Sequence, residues 1–321
     1  MGMIGNSIIA FLICFSIGLV LYPLFIKYLN KKLILQIVSE YATEEFKNKK
    51  QVPIFGGVIF ILLTIIMTVI SNFILNNHSV TIYIFLFTLF IYFLIGFVDD
   101  YRIIKYSKND GLKEKHKFLL QIFSAAIIFI LFNNQLSVTI FGIQLPLIIT
   151  ILFGCFMMSG FSNAVNITDG IDGLSSSSVS LSFFIWWLII VISNQHSELL
   201  IPISCLVGGL IAYFTYNVKP AKIYMGDCGS LALGAGFMII GFMLDLSLLA
   251  VLIGIVFVLE TLSVMIQVFS VKVFKKKVFL YTPIHYTFTL KGYSENQVVL
   301  LFNLVGLIGG ILALIIVVWL K

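Results

Sequence analysis

The sequence predicts an all-α, polytopic integral membrane protein with about ten transmembrane helices, and three observations lead there. Of its 321 residues, 60% are hydrophobic and 11% charged, against roughly 25% charged in a soluble domain. Ten apolar runs approach or exceed the roughly 20 residues needed to cross about 30 Å of hydrocarbon. Nineteen of the 20 lysines and arginines fall between alternate runs, which marks one side as cytoplasmic by the positive-inside rule.

The runs cover residues 4–28, 53–76, 80–98, 117–134, 145–162, 173–193, 199–216, 229–245, 247–272 and 297–320, and together form one transmembrane domain over 1–321. The first lacks a small-residue cleavage site, so it reads as a retained helix and not a signal peptide. The basic residues sit between runs 1 and 2 (Lys27, Lys31, Lys32, Lys47, Lys49, Lys50) and between 3 and 4 (Arg102, Lys105, Lys108, Lys113, Lys115, Lys117). The rest lie between 7 and 8 (Lys219, Lys222) and between 9 and 10 (Lys272, Lys275, Lys276, Lys277, Lys291), with Lys321 alone opposite. An even number of helices then places both termini outside the cytoplasm. The opposite loops, such as "NNHS" and "SNQHSE", carry almost no charge, so any chemistry belongs on the cytoplasmic face. The net charge of +6 follows from that face; it favours anionic membrane lipids and phosphorylated substrates and requires no nucleic acid. Cys14, Cys155 and Cys205 lie in helices and Cys228 in a cytoplasmic loop, none with metal-site spacing, so they read as packing residues.

Acids near a bilayer are costly, and their placement is informative. Eleven of the 14 fall in cytoplasmic segments, five of them in three short motifs. These are "GFVDDYR" with Asp99 and Asp100, "NITDGIDGL" with Asp169 and Asp172, and "YMGDCGS" with Asp227. Three separate loops thus bring aspartates to one membrane face.

Each motif also has a plain structural reading. Asp99 and Asp100 could be a solvated end of helix 3, balanced by Arg102 and Lys105. Asp172 could cap helix 6, which starts near Leu174, and Asp227 could cap helix 8. Capping leaves Asn163, Asn166 and Asp169 unexplained. Two Gly-flanked aspartates at helix N-termini make anion sites beside hard oxygen ligands, and such ligands suit magnesium, which is commonly held by one or two carboxylates plus substrate phosphates. The Lys275–Lys277 run reads as a topology signal. His285, in the aromatic "TPIHYTF", could be an interfacial histidine, and Glu260, mid-helix, could bond a neighbouring helix. Taken together, the motifs fit a Mg2+-dependent phosphoryl-transfer site; with no G-x-x-x-x-G-K-[ST] loop, it is not a P-loop site.

These residues resemble the phospho-N-acetylmuramoyl-pentapeptide transferases, within the polyprenyl-phosphate N-acetylhexosamine-1-phosphate transferase group. The matching pieces are "KKQVPIFGG", "GFVDDY", "GLKEKHK", "NAVNITDGIDGL", "KPAKIYMGDCGSLALG", "ETLSVMIQV" and "TPIHYTFTLKGYSE", in the family's order from Lys49 to Glu295. The resemblance implies ten helices, a cytoplasmic cleft in a bacterial inner membrane, and a homodimer. It implies transfer of phospho-MurNAc-pentapeptide from UDP-MurNAc-pentapeptide to undecaprenyl phosphate, giving lipid I and UMP. Carried over, Asp99 and Asp100 form the active-site pair with Asp99 as base, Asp227 holds Mg2+, and His285 joins them as a catalytic residue. Asn166, Asp169, Gly170 and Asp172 line the nucleotide end; Asn217, Tyr224 and Gln267 are further cleft residues; Lys50 and Lys117 meet phosphate. The chain departs from the pattern in three places. His285, Tyr286 and Thr287 replace three histidines, "VPIFGG" replaces "TPTMGG", and Arg102 and Ile103 follow "DDY" where a lysine is common. Two rivals remain: a sister enzyme moving GlcNAc-1-phosphate, and a secondary transporter, for which Glu260 alone speaks.

Overall fold

The computed structural model describes residues 2–35, 52–106, 111–140 and 142–320. Its long helices follow the ten apolar runs in order. They are α1 (Met3–Lys31), α2 (Gly56–Leu75), α3 (Val80–Tyr106), α4 (Glu114–Leu131) and α5 (Leu147–Thr168). Then come α6 (Leu174–Ser193), α7 (Leu200–Asn217), α8 (Asp227–Met243) and α9 (Ile255–Phe274). A short α10 (Ile284–Leu290) precedes α11 (Glu295–Leu320). All but α4, α8 and α10 are long and apolar enough to cross a membrane. The chain is thus an all-α polytopic membrane protein. Helix α4 opens on Glu114, Lys115, His116 and Lys117, and α8 is simply shorter.

The bundle is organised around α8, in which every residue from Cys228 to Met243 is buried. Helices α3 and α5 pack along it. Its sequence, "DCGSLALGAGFMIIGFM", explains the fit: small residues let neighbouring backbones approach closely. A methyl group on Gly234 would strike the Phe161–Ser162 backbone, and one on Gly236 would strike Leu89. Aromatic side chains fill the remaining space, Phe237 meeting Phe161, Phe183, Trp186 and Phe257. Helices α1 and α7 pair at one side, and α6 with α11 at another. All four cysteines are buried and free, in keeping with a packing role.

The structure corrects several boundaries. Helix α3 does not stop at the aspartates but continues to Tyr106, so Asp99 and Asp100 lie within the helix. Helix hydrogen bonding is indifferent to polarity, and both carboxylates find donors elsewhere. Run 53–76 is helical only from Gly56; Pro53 bridges to Leu35, and Phe55 takes a positive φ of 82°. Run 247–272 is broken: Ala250–Ile253 forms one turn and α9 starts after Gly254, where a Cβ would press on the Phe161 ring. Cys228 belongs to the first turn of α8, not to a loop. The far loop between α4 and α5 carries a two-residue hairpin, Thr139–Ile140 with Ile143–Gln144.

Candidate active site

Asp227 is the first residue of α8, at one end of the most buried helix in the bundle. Its position is set by backbone contacts. Residues 53–57 run beside the approach to α8: Tyr224 N–H donates to Pro53 (2.8 Å), while Gly56 and Gly57 N–H donate to Tyr224 and Met225 carbonyls (2.8 and 2.9 Å). Gly96 on α3 lies directly against the Asp227 carbonyl, and a side chain there would overlap it. Alpha-3 and α8 therefore cross in contact, which brings Asp99 and Asp100 to Asp227. One carboxylate oxygen from each of the three lies within 4.8 Å of the others.

The three acids do different work. Asp100, 1% exposed, accepts the backbone N–H groups of Asp227 (3.1 Å) and Cys228 (2.9 Å). A carboxylate on α3 thus caps the N-terminus of α8, satisfying amides that have no partner inside their own helix. Neither Asp227 nor Asp172 supplies the cap that the sequence allowed for it. Helix α6 starts after Gly173, whose N–H is bound by Asn217 Oδ1 (3.2 Å), and Asp172 accepts Ala221 N–H (3.0 Å). Asp99 accepts Leu112 N–H (2.7 Å) and faces Lys117 Nζ at 3.3 Å. Asp227 is the most open of the three, its side chain 19% exposed, with one oxygen on Lys117 Nζ (2.6 Å) and the other on Asn166 Nδ2 (2.7 Å). Asn166 also donates to Ser230 (2.9 Å).

Among the described residues, Lys117 is the single basic side chain in contact with these acids. One ammonium cannot balance three carboxylates, and Asp169 and Asp172 add to the field. Asp169, the residue that ends α5, has its carboxyl pushed up to about 7 by burial, then by Asp227 and Asp172. Clustered hard oxygen donors with a charge deficit, one of them open to solvent, suit a divalent cation. The donor set fits Mg2+ with Asp227 as the accessible ligand.

The remaining sequence candidates fall into four groups. Tyr224 stands at the rim, its phenol raised by burial and by Asp172 and Glu295. Asn217 and Gln267 are spent inside the protein. Asn217 also accepts Ser176 Oγ (2.8 Å) and donates to Ile223 (3.1 Å), while Gln267 holds the Val278 and Phe279 backbone at 3.0–3.1 Å. His285 is completely buried beneath Gly170. Lys50 lies outside the described residues.

Glu260 meets a neighbouring helix, as its sequence reading allowed, though the partner was not foreseen: its carboxylate lies 3.1 Å from His285 Nδ1 on α10, both side chains fully buried. Asn163 is not part of the site, because it pairs with Gln121 on α4 (2.6 Å). Neither contact leaves a local trace in the sequence.

Comparison with known proteins shows the family. The profile of glycosyl transferase family 4 matches residues 82–247. A phospho-N-acetylmuramoyl-pentapeptide-transferase from Staphylococcus epidermidis is 41% identical over 319 residues, covering 96% of this chain and 97% of its own length. Proteins of the same name from Staphylococcus haemolyticus and Staphylococcus aureus are 38% and 39% identical, over 96% and 94% of this chain and 97% of their own lengths. At that identity and coverage, the chain belongs to the phospho-N-acetylmuramoyl-pentapeptide-transferase family, within glycosyl transferase family 4.

Proposed function

We propose that this protein transfers phospho-MurNAc-pentapeptide from UDP-MurNAc-pentapeptide to undecaprenyl phosphate, releasing UMP and forming lipid I, with Mg2+ as cofactor. The observation that carries the reading is the aspartate trio of α3 and α8, with oxygens within 4.8 Å and Lys117 between two of them. It is what a diphosphate-cleaving site needs: fixed acids, one fixed cation and room for another.

In the reaction an oxygen of the lipid phosphate attacks the sugar-side phosphorus. The bond to the UMP phosphate breaks, and UMP leaves with the electron pair. Asp99 faces the attacking phosphate and takes its proton where one remains; Leu112 N–H and Lys117 hold its carboxylate in place. Lys117 screens the phosphate oxygens. Asn166 orients Asp227, and Asp100 fixes the start of α8. Asp227 would hold Mg2+, which would supply positive charge to the diphosphate. Asp169, Gly170, Asp172 and Tyr224 form the nucleotide end.

The excess of lysine and arginine at the site end supports a cytoplasmic site with both termini outside; the bacterial relatives support a bacterial cell membrane, and the homodimer rests on the family resemblance alone. A cysteine placed at Lys115 should be protected, and one at Asn194 reachable, from outside sealed cells. Labelling of both from outside would overturn that orientation.

The replacement of two of three histidines by Tyr286 and Thr287 gives the GlcNAc-1-phosphate reading its one supporting observation. The purified protein should release UMP from UDP-MurNAc-pentapeptide in the presence of undecaprenyl phosphate, and largely reject UDP-GlcNAc. Comparable rates with both sugars would move it to the sister branch.

A further inference from the structure

Beneath the nucleotide end lies a buried assembly that the reaction as described does not use. Glu260, in the body of α9, and His285, in the first turn of α10, are both 0% exposed, with Glu260 Oε2 3.1 Å from His285 Nδ1. Neither ring nitrogen and neither Glu260 oxygen has an aligned hydrogen-bond partner among the described residues, and the Nε2 edge lies against Gly170 so closely that a methyl group there would overlap it. The next residue, Tyr286, donates its hydroxyl to the Gly170 carbonyl at 2.9 Å, and its ring lies 4.1 Å from the His285 ring between centroids. Gly170 sits between Asp169 and Asp172. Two consecutive residues of α10 thus grip the middle of the "DGID" turn, one by shape and one by a hydrogen bond.

Burying a carboxylate and an imidazole is costly unless each serves the other. Here the carboxylate and the ring face each other at 3.1 Å without hydrogen-bond alignment, so attraction and packing, not a directed bond, hold the ring and its plane. The plane decides whether Gly170 can come to rest where it does.

We infer that Glu260 is a positioning residue for nucleotide binding. It holds His285 in the orientation that supports the Gly170 turn, and the Tyr286 hydroxyl holds the Gly170 carbonyl beside it. Glu260 acts through His285 and the backbone of residues 169–172. The tyrosine that replaces the family's second histidine is thereby a working part of the grip in this chain.

The inference rests on the proposed nucleotide site, and a binding experiment keeps the two apart. UMP binding is measured by calorimetry on detergent-purified wild type, Glu260→Ala, Glu260→Gln, Gly170→Ala and the Glu260→Ala/Gly170→Ala double variant. Glu260→Ala should weaken UMP by about tenfold, the scale of a lost contact to a charged group. Glu260→Gln, which keeps a polar partner for Nδ1, should stay within about threefold of wild type. At saturating UDP-sugar, kcat of both should change little, so the loss appears in KM. Gly170→Ala should weaken UMP strongly in the wild-type background and far less with Glu260→Ala, because a released imidazole can turn away.

Unchanged UMP affinity in Glu260→Ala, or losses from the two substitutions that simply multiply, would overturn the inference and leave the proposed function standing. If Glu260→Ala is not recovered folded, Tyr286→Phe carries the test. Removing only the hydroxyl should weaken UMP about threefold, and no change would refute the grip. Wild type that fails to bind UMP at all would sink the proposed function and this inference together.

Discussion

At the far end of the bundle, Glu198 gathers three partners: Thr81 Oγ1 at 2.7 Å, Ser79 Oγ at 3.2 Å and His196 Nδ1 at 3.1 Å. It ties the loop before α3 to the start of α7, and Asp245 likewise accepts Thr139 N–H at 2.8 Å. Each of these acids stands apart and is supplied with its own donors. At the site end the arrangement is inverted. Asp99, Asp100 and Asp227 crowd within 4.8 Å, one lysine is shared between two of them, and Asp169 and Asp172 add to the charge. Both sets have hydrogen-bond donors, but the far-end acids stand apart while the site-end acids share a single ammonium. The contrast separates isolated carboxylates from a crowded set short of positive charge.

Substitutions should respect that division. The largest effect is expected of Gly96→Ala. Its methyl would meet the Asp227 backbone, and overpacking of this kind costs about 1–3 kcal/mol. It would also push α8 from α3 and separate the trio, so turnover should vanish along with a marked drop in Tm. Normal activity in Gly96→Ala would mean the close crossing is not needed.

Asp99→Asn should come next, lowering turnover by about 10²–10⁴-fold, the usual worth of a general base, while UDP-sugar affinity stays near wild type. A large loss of affinity with intact kcat would assign Asp99 to the nucleotide end instead.

Much of this was legible in the sequence, and for physical reasons. Apolar runs and the lysine distribution locate the helices, because the bilayer imposes length and charge rules on each segment separately. The three aspartate motifs were legible as a convergent set, because topology alone carries alternate loops to one face. What stayed hidden depends on pairings between distant segments. Asp100 capping α8, Glu260 meeting His285, and Pro53–Gly57 lying along Tyr224 and Met225 join residues tens to more than a hundred positions apart. The overrun of α3 past Asp100 was missed for another reason. Hydropathy marks where a helix leaves oil, whereas its hydrogen bonds continue until something interrupts them.

Asp169 gives a smaller effect with a definite sign. Its folded value of about 7 lies above the ordinary 3.8, so the native state binds the proton more tightly than the unfolded chain does. The associated stability is fully present below about pH 4 and is lost as pH rises through 7. The Tm of wild type relative to Asp169→Asn should therefore fall between pH 4 and 7 and level off above. A pH-independent difference would show that Asp169 is not held protonated.

The smallest change is expected at the far end. Glu198→Gln keeps the shape and some of the hydrogen bonds, so it should cost about 0.5–1.5 kcal/mol and leave turnover alone. A loss of activity there would blur the division between the two ends.

The most direct test measures UMP release against Mg2+ concentration for wild type, Asp227→Asn and Glu198→Gln, each checked for folding by thermal unfolding. Asparagine preserves the shape of Asp227 and its place at the head of α8, but removes the charge a hard cation requires. Asp227→Asn should stay folded and lose Mg2+-dependent turnover at every concentration, while Glu198→Gln follows the wild-type curve. Near-normal turnover by Asp227→Asn at ordinary Mg2+ would contradict the assignment of the crowded aspartates as the reacting centre.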